Sequence, residues 1–248
     1  MRFPKLSQNK RKPACRSKRE SSVLRALTKF NTSILIMPNA QSLERWKKMG
    51  KRGALICVEG LDGCGKTTQT KLLVRRLRKK GYNVIYTAEP SRGEIGKFIK
   101  KYCLHSEKRV SGIVEALLFA ADRFDHMEKE VVPAMDEGKL VVSDRYIYSS
   151  LAYQGAAGLD LKWIERINEH AMRPDLAIFI DVEPEIVIQR LKPKRSVMEN
   201  LETQRKVREV YMTFVEKGEL VRIDGDKSRE EVADDIVRLV LRFLVEPS

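Results

Sequence analysis

The stretch GLDGCGKT, residues 60–67, decides the fold of this 248-residue chain. It fits the pattern G-x-x-x-x-G-K-[ST], follows an apolar run at residues 54–59 and opens a helical segment at residues 66–80. The glycines of such a loop allow backbone N–H groups to surround phosphate oxygens, and the N-terminus of the next helix adds a partial positive charge. The sequence therefore predicts a loop that binds the phosphates of a nucleoside triphosphate.

Three side chains of this loop have predictable roles. Lys66 is expected to neutralise the β- and γ-phosphates, and the Thr67 hydroxyl to ligate Mg²⁺. Asp62 is either a solvated turn residue or a functional acid. Because a carboxylate beside phosphates would repel them, we favour an Asp62 that faces an acceptor's hydroxyl or a Mg²⁺-bound water. The predicted nucleotide-binding residues are Gly60, Leu61, Asp62, Gly63, Cys64, Gly65, Lys66, Thr67 and Thr68.

Strands and helices alternate along the chain that follows. Apolar runs bounded by turn residues predict strands at residues 54–59, 83–87, 140–143, 176–181 and 220–223. Helices are predicted at residues 66–80, 112–137, 161–171, 184–191, 199–217 and 229–244, with Pro133 bending or breaking the second. Because helices connect successive strands, the expected fold is α/β, with a five-stranded parallel sheet flanked by helices.

The basic charge of the chain is concentrated at its beginning. Residues 1–48 hold 13 Lys/Arg and 2 Asp/Glu, whereas the other 35 basic and 32 acidic residues leave a net charge of only +3. This composition predicts a disordered extension at residues 1–48 and a folded domain at residues 49–248. The extension is interpretable as a tail that binds nucleic acid or a partner, as an organellar transit peptide, or as an artefact of start-site choice, since Met49 stands at the domain edge. We favour the last interpretation.

Composition also indicates in which compartment the protein acts and which classes of partner it binds. No apolar run approaches the length of a membrane span, and the four cysteines show no CxxC spacing. A reducing cytoplasm is therefore the expected location, with no membrane partner. The nearly balanced charge of residues 49–248 makes nucleic acid an unexpected partner.

Two charged residues end the third predicted strand. Ligands in such folds bind at the carboxyl ends of strands, so Asp144 is placed to hold Mg²⁺ through water and Arg145 to reach an acceptor phosphate. The alternative is a surface salt bridge. Because these residues are expected beside the phosphate loop, we favour the functional interpretation.

Three further residues suggest an acceptor that carries a base and a phosphate. Phe119 and Arg123 are four residues apart and share a helix face, and Arg92 follows the second predicted strand. An aromatic ring can stack a base while a guanidinium binds phosphate with two N–H groups, which suits a nucleoside monophosphate. Each residue alone would more often be structural, and Phe119 could belong to the core.

A basic stretch at residues 190–195 follows the fourth strand and its helix. It contains Arg190, Lys192, Lys194 and Arg195. The usual role of such a run is a solvated charged face. The functional alternative is a lid at about residues 190–200, because phosphoryl transfer needs positive charge on the migrating group and the exclusion of water.

Together these motifs resemble the thymidylate kinases, a family of P-loop nucleoside monophosphate kinases. The resemblance covers roughly residues 52–244 and rests on GLDGCGKT, EPSRGEIG (89–96), LLFAADR (117–123) and DRYIYSSLAYQG (144–155). It implies ATP-dependent phosphorylation of dTMP to dTDP with Mg²⁺, as a step towards dTTP. It also implies a five-stranded parallel sheet and commonly a homodimer.

The resemblance also implies roles for individual residues. Phe119 looks like the ring that stacks thymine, and Asp62 like the loop acid near the sugar 3′-hydroxyl. Family members with glycine after that acid, as with Gly63, tend to take their catalytic arginine from the lid, which implies Arg190 or Arg195. The acceptor-phosphate clamp would be Arg92, Arg123 and Arg145, and the base and sugar would contact Ser150, Tyr153 and Gln154. Tyr153 would disfavour a ribose 2′-hydroxyl.

Two alternatives remain open at this point. A deoxynucleoside kinase acting on thymidine would need fewer phosphate-binding arginines than this chain offers. A nucleotide-dependent binding protein would instead use residues 1–48 to hold nucleic acid. The acceptor that is turned over distinguishes the first, and salt-dependent nucleic-acid binding distinguishes the second.

Overall fold

A central parallel sheet organises the protein in a computed structural model that describes residues 52–104, 110–190 and 200–245. Its strands are β1 (Leu55–Gly60), β2 (Val84–Ala88), β3 (Leu140–Asp144), β4 (Leu176–Asp181) and β5 (Val221–Asp224). The helices described are α1 (Lys66–Lys79), α2 (Glu94–Ile99), α3 (Gly112–His126), α4 (Val132–Asp136), α5 (Ile147–Ala156), α6 (Leu161–Ile167), α7 (Pro184–Arg190), α8 (Leu201–Glu216) and α9 (Arg229–Val245). The predicted α/β class and five parallel strands are confirmed.

The strand order is β2-β3-β1-β4-β5, and every neighbouring pair is parallel. Every residue of β1, β3 and β4 is buried, because helices cover both faces of the sheet. The register pairs Val58 of β1 with Asp144 of β3, and Gly60 with Ile180 of β4. The carboxyl ends of the three inner strands therefore meet at one edge, where the phosphate loop begins.

The helix predicted at residues 112–137 is interrupted as expected. Helix α3 runs into a π-helical turn (Met127–Val131), and α4 follows with Pro133 in its first turn. Proline lacks the N–H that would continue the regular hydrogen-bond ladder, so the backbone changes its hydrogen-bonding period just before it. The helical segment therefore changes its period without ending.

Two helices were not predicted from the sequence. Helix α2, extended by a π-helical turn (Lys100–Leu104), follows β2, and α5 follows β3. The helix predicted at residues 161–171 ends earlier, at Ile167. Among the described residues no helix is long and apolar enough to cross a membrane.

Two predictions concern residues outside the described part of the chain. The extension at residues 1–48 lies there entirely, and so do residues 191–199 of the predicted lid. Lys192, Lys194 and Arg195 are among the latter.

Candidate active site

The phosphate loop joins β1 to α1 and uses its first and last glycines for different reasons. Gly60 has φ 150°, and a Cβ added there would lie 2.7 Å from the backbone oxygen of Ile180. Gly65 has φ 98°, and a Cβ there would meet no described atom within 4 Å. The first glycine is required by packing against β4, whereas the second borders open space in front of the α1 N-terminus, where an anion can bind.

The predicted phosphate and metal ligands lie together at this loop. The buried Lys66 donates from Nζ to the Leu61 carbonyl at 2.5 Å. The Thr67 hydroxyl donates to Oδ2 of Asp144, also at 2.5 Å, because the β1–β3 register brings the end of β3 beside the loop. Thr68, the next residue of the helix, is exposed. A hydroxyl and a carboxylate at this spacing are hard oxygen donors of the kind that Mg²⁺ prefers.

Arg145 is held in an unusual conformation immediately after β3. It is the one described residue other than glycine with positive φ, at 73°. Its N–H donates to the Val58 carbonyl at 3.0 Å, and Ser143 Oγ donates to its carbonyl at 2.7 Å. The guanidinium forms an ion pair with Asp62 and lies 5.0 Å from the centre of the Tyr153 ring. The salt bridge that sequence left open for Arg145 therefore exists, but its partner is an acid of the phosphate loop.

The environment of Asp62 keeps this acid ionised. Burial alone would raise the pKa of the carboxyl, but the charges of Arg145 and Lys66 outweigh it and lower the pKa. The Asp62 side chain retains 30% of its surface exposed and that of Arg145 retains 19%. Both remain accessible to a ligand.

A buried acid that the sequence interpretation missed lies under this pair. Glu59, the residue before Gly60, is fully buried. It accepts hydrogen bonds from the Tyr146 N–H at 2.8 Å, the Ser149 hydroxyl at 2.5 Å and the Tyr211 hydroxyl at 3.0 Å. Burial raises its pKa to about 7, although these donors and the charge of Arg145 act in the opposite direction. The one sequence signal for it was an acid in an otherwise apolar strand.

Arg123 lies deeper than a phosphate clamp requires. Its side chain is 1% exposed and donates to Glu89 through two nitrogens, at 2.8 and 3.0 Å. It also donates to Asn168 at 2.5 Å and to Ser150 at 3.0 Å. A guanidinium carries five N–H groups, so these four hydrogen bonds leave one for a substrate. The clamp assignment of Arg123 stays a prediction, and Glu89 and Asn168 were not predicted at all.

The other residues predicted to bind the acceptor nucleotide lie on α3, on α5 and in the loop after β2. Phe119 is half-buried and is not among the side chains that pack on the described core. Arg92 is exposed and makes no hydrogen bond with described residues. The buried Gln154 donates to Glu115 at 3.4 Å, and its Oε1 has no hydrogen-bond partner in the described part of the chain.

One of the two predicted lid arginines lies among the described residues. Arg190 ends α7, is 42% exposed and lies 3.7 Å from the Asp226 carboxylate in the loop before α9. Arg195 lies outside the described residues. That one of these two arginines is catalytic stays a prediction.

Comparisons with known proteins agree with this geometry. The model of the thymidylate kinase family matches residues 58–236. A probable thymidylate kinase of Pyrococcus horikoshii is 46% identical over 202 residues, which cover 78% of this chain and 98% of that relative. Similar proteins of the same description occur in Thermococcus gammatolerans, at 43% identity over 76% of this chain and 96% of the relative, and in Pyrobaculum aerophilum, at 41% over 77% and 98%. Because the family match spans most of the chain and these relatives align over nearly their whole length, the chain belongs to the thymidylate kinase family.

Proposed function

We propose that this protein transfers the γ-phosphoryl group of ATP to dTMP, forming dTDP and ADP. The observation that carries the proposal is the ion pair between Asp62 and Arg145, directly beside the Thr67–Asp144 pair. The loop that would hold the donor phosphates thus also carries an acid, Asp62. Its partner Arg145 is a cation that could bind an acceptor phosphate. Membership of the thymidylate kinase family supports dTMP as that acceptor.

Thr67 and Asp144 would hold Mg²⁺, since the spacing and chemistry of their oxygens fit this ion. When bound to the donor phosphates, Mg²⁺ offsets their negative charge. Lys66 is buried against the loop and would leave the Leu61 carbonyl and the Cys64 sulfur to bind a phosphate oxygen. No nucleophilic side chain is required, because the acceptor phosphate oxygen itself attacks the γ-phosphorus as the bond to the bridging oxygen breaks.

Arg145 and Arg92 are the guanidinium groups best placed for the acceptor phosphate. Arg145 is accessible beside Asp62, and Arg92 has no competing partner among the described residues. Arg123, with one N–H left, supports the acceptor site from below. We propose that Arg190 or Arg195 adds positive charge on the migrating phosphoryl group.

Selectivity for a deoxythymidine acceptor would come from α3 and α5. Phe119 offers an aromatic face outside the core, and Gln154 and Ser150 offer polar atoms on the facing helix. Tyr153, packed on Arg145 and close to Asp62, would leave little room for a ribose 2′-hydroxyl. Since dUMP lacks only a methyl group, discrimination against it should not exceed about 1–3 kcal/mol.

Three further proposals concern the whole chain. Residues 49–248 form the kinase domain with a lid at about 190–200, and residues 1–48 are dispensable for catalysis. The protein is a homodimer, for which an exposed apolar surface on α2 and α3 is the support. It acts in a reducing compartment, the cytoplasm, because Cys57 and Cys64 are buried thiols.

A coupled assay of ADP release over the common nucleoside monophosphates, with thymidine included, tests the function. We expect dTMP to give the highest kcat/KM, dUMP to follow and thymidine to be inactive. The same panel with a chain that begins at Met49 should give unchanged values. Turnover of AMP, GMP or CMP ahead of dTMP would refute the assignment, and turnover of thymidine would indicate a deoxynucleoside kinase.

A further inference from the structure

The buried carboxylate of Glu59 contacts the acceptor side of the site from beneath. It lies at the end of β1, and none of its surface is exposed. One oxygen accepts the N–H of Tyr146, and the other accepts the hydroxyls of Ser149 and Tyr211. These donors come from α8, from α5 and from the segment that joins β3 to α5, so a single side chain connects all three to the strand before the phosphate loop.

Both connections on the β3 side converge on Arg145. Tyr146 is the next residue, so its N–H fixes the backbone just after the left-handed φ of 73°. For a residue with a side chain, that conformation is strained and persists only where neighbours hold it. Ser149 Oγ, besides donating to Glu59, accepts a hydrogen bond from the Arg145 guanidinium at 3.0 Å. Glu59 therefore restrains the backbone and, through one hydroxyl, the side chain of Arg145.

We propose that Glu59 is a positioning residue that acts through Tyr146 and Ser149 to hold Arg145 where it meets the acceptor phosphate. The inference rests on the proposed function, since it assigns Arg145 to the acceptor. It adds a residue that has no contact with substrate and that sets the affinity for the acceptor and not the affinity for ATP.

The direction of the hydrogen bonds explains why a carboxylate is used. Above its raised pKa of about 7 the ionised carboxylate only accepts, so Ser149 and Tyr211 donate to it and the lone pairs of Ser149 stay available to Arg145. An amide at the same position would donate to the Ser149 oxygen and compete with the guanidinium. The titratable or charged groups that face Glu59 are Arg145, Tyr211 and, on its own strand, Cys57. Arg145 is the one permanent cation among them.

Steady-state kinetics of Glu59→Gln above about pH 8, where Glu59 of the wild type is ionised, test the proposal. We expect KM for dTMP to rise about tenfold, because a displaced guanidinium binds the phosphate less well. KM for ATP and kcat should stay within about threefold of the wild-type values. Ser149→Ala should give the same pattern, and the double variant should be no worse than the more impaired single variant, since both act through one connection.

Asp175→Asn is the matched control. Asp175 also accepts a backbone N–H of β1, from Leu55 at 2.9 Å, but at the opposite end of the strand. It should lower thermal stability without changing KM for dTMP. Folding of every variant is checked by circular dichroism.

Several results would overturn the inference: an unchanged KM for dTMP in folded Glu59→Gln, an equal rise of both KM values, or losses that multiply in the double variant. If Glu59→Gln does not fold, Ser149→Ala alone decides, because an unchanged KM for dTMP would then refute the connection. Failure of the proposed function gives a different result, because the wild-type protein itself would then not turn over dTMP. The same variants are then measured with the acceptor that the panel identifies.

Discussion

At the scale of single residues, the buried Glu59 should make the stability of the protein depend on pH. Burial raises the pKa of its carboxyl from 4.5 to about 7. Between these values the folded protein keeps a proton that the unfolded chain has lost, so the free energy of unfolding falls as the pH rises. The contribution is complete below the unfolded pKa, and about 3 kcal/mol is lost once the pH exceeds the folded pKa.

Urea unfolding of wild type and Glu59→Gln across this pH range measures the effect. Because glutamine does not titrate, the variant should gain about 3 kcal/mol relative to wild type between about pH 4.5 and pH 7.5. Acids with lowered pKa, such as Asp62 and Asp181, titrate in both proteins and cancel in the difference. A difference that is constant with pH would show that Glu59 ionises at its ordinary pKa.

The same scale shows which site residues sequence could predict. Thr67 and Asp144 could be paired in advance, because a loop motif and a strand end both point to one edge of a parallel sheet. The residues that surround Arg123 could not be predicted, because Glu89 and Asn168 lie 34 and 45 residues away in the sequence and no local pattern links them to Arg123. Residues that support a site from below come from distant segments and leave no motif.

At the scale of elements, the phosphate loop offers two glycines whose substitution should have opposite consequences. Gly60→Ala would place a methyl group 2.7 Å from the Ile180 carbonyl, so we expect a loss of about 3 kcal/mol in unfolding free energy. Gly65→Ala meets no described atom within 4 Å and should lose only about 1–2 kcal/mol, from its positive φ. The added methyl group of Gly65→Ala would occupy the space where a donor phosphate is predicted to bind, so KM for ATP should rise at least about tenfold.

Each variant is the control for the other, with chemical unfolding and ATP kinetics measured on both. Similar destabilisation with similar ATP affinity would contradict the distinction. So would a Gly65→Ala protein that binds ATP as the wild type does.

Strands that form apolar runs and helices with one buried face were predicted, whereas a helix buried on most sides and a six-residue helix were not. The sheet and α1 carry clear apolar patterns, and Pro133 marked the change of period after α3. Helix α5 buries seven of its ten residues, so it shows no contrast between an apolar and a polar face. Helix α2 has six residues, which is too short for periodicity to distinguish it from a loop.

At the scale of the whole molecule, an exposed apolar surface remains on α2, its π-helical turn and α3, which pack against each other. Its five large side chains are between 41% and 54% exposed, and they are Phe98, Tyr102, Ile113, Val114 and Leu117. The rings of Phe98 and Tyr102 lie 4.5 Å apart, and the other three side chains lie on α3, against which α2 packs. Exposed apolar surface of this kind is typical of an interface between protein chains.

If this surface joins two copies, Leu117→Glu should dissociate the dimer. A two-fold interface contains each substitution twice, so two charges would be buried without partners and the dissociation constant should rise at least about a hundredfold. Thr213→Glu, an exposed position on α8, adds the same charge elsewhere and should leave the dimer intact. Light scattering at a concentration where the wild type is dimeric measures the mass of all three proteins. A monomeric wild type would refute the homodimer, whereas a Leu117→Glu protein that stays dimeric would place the interface on another face.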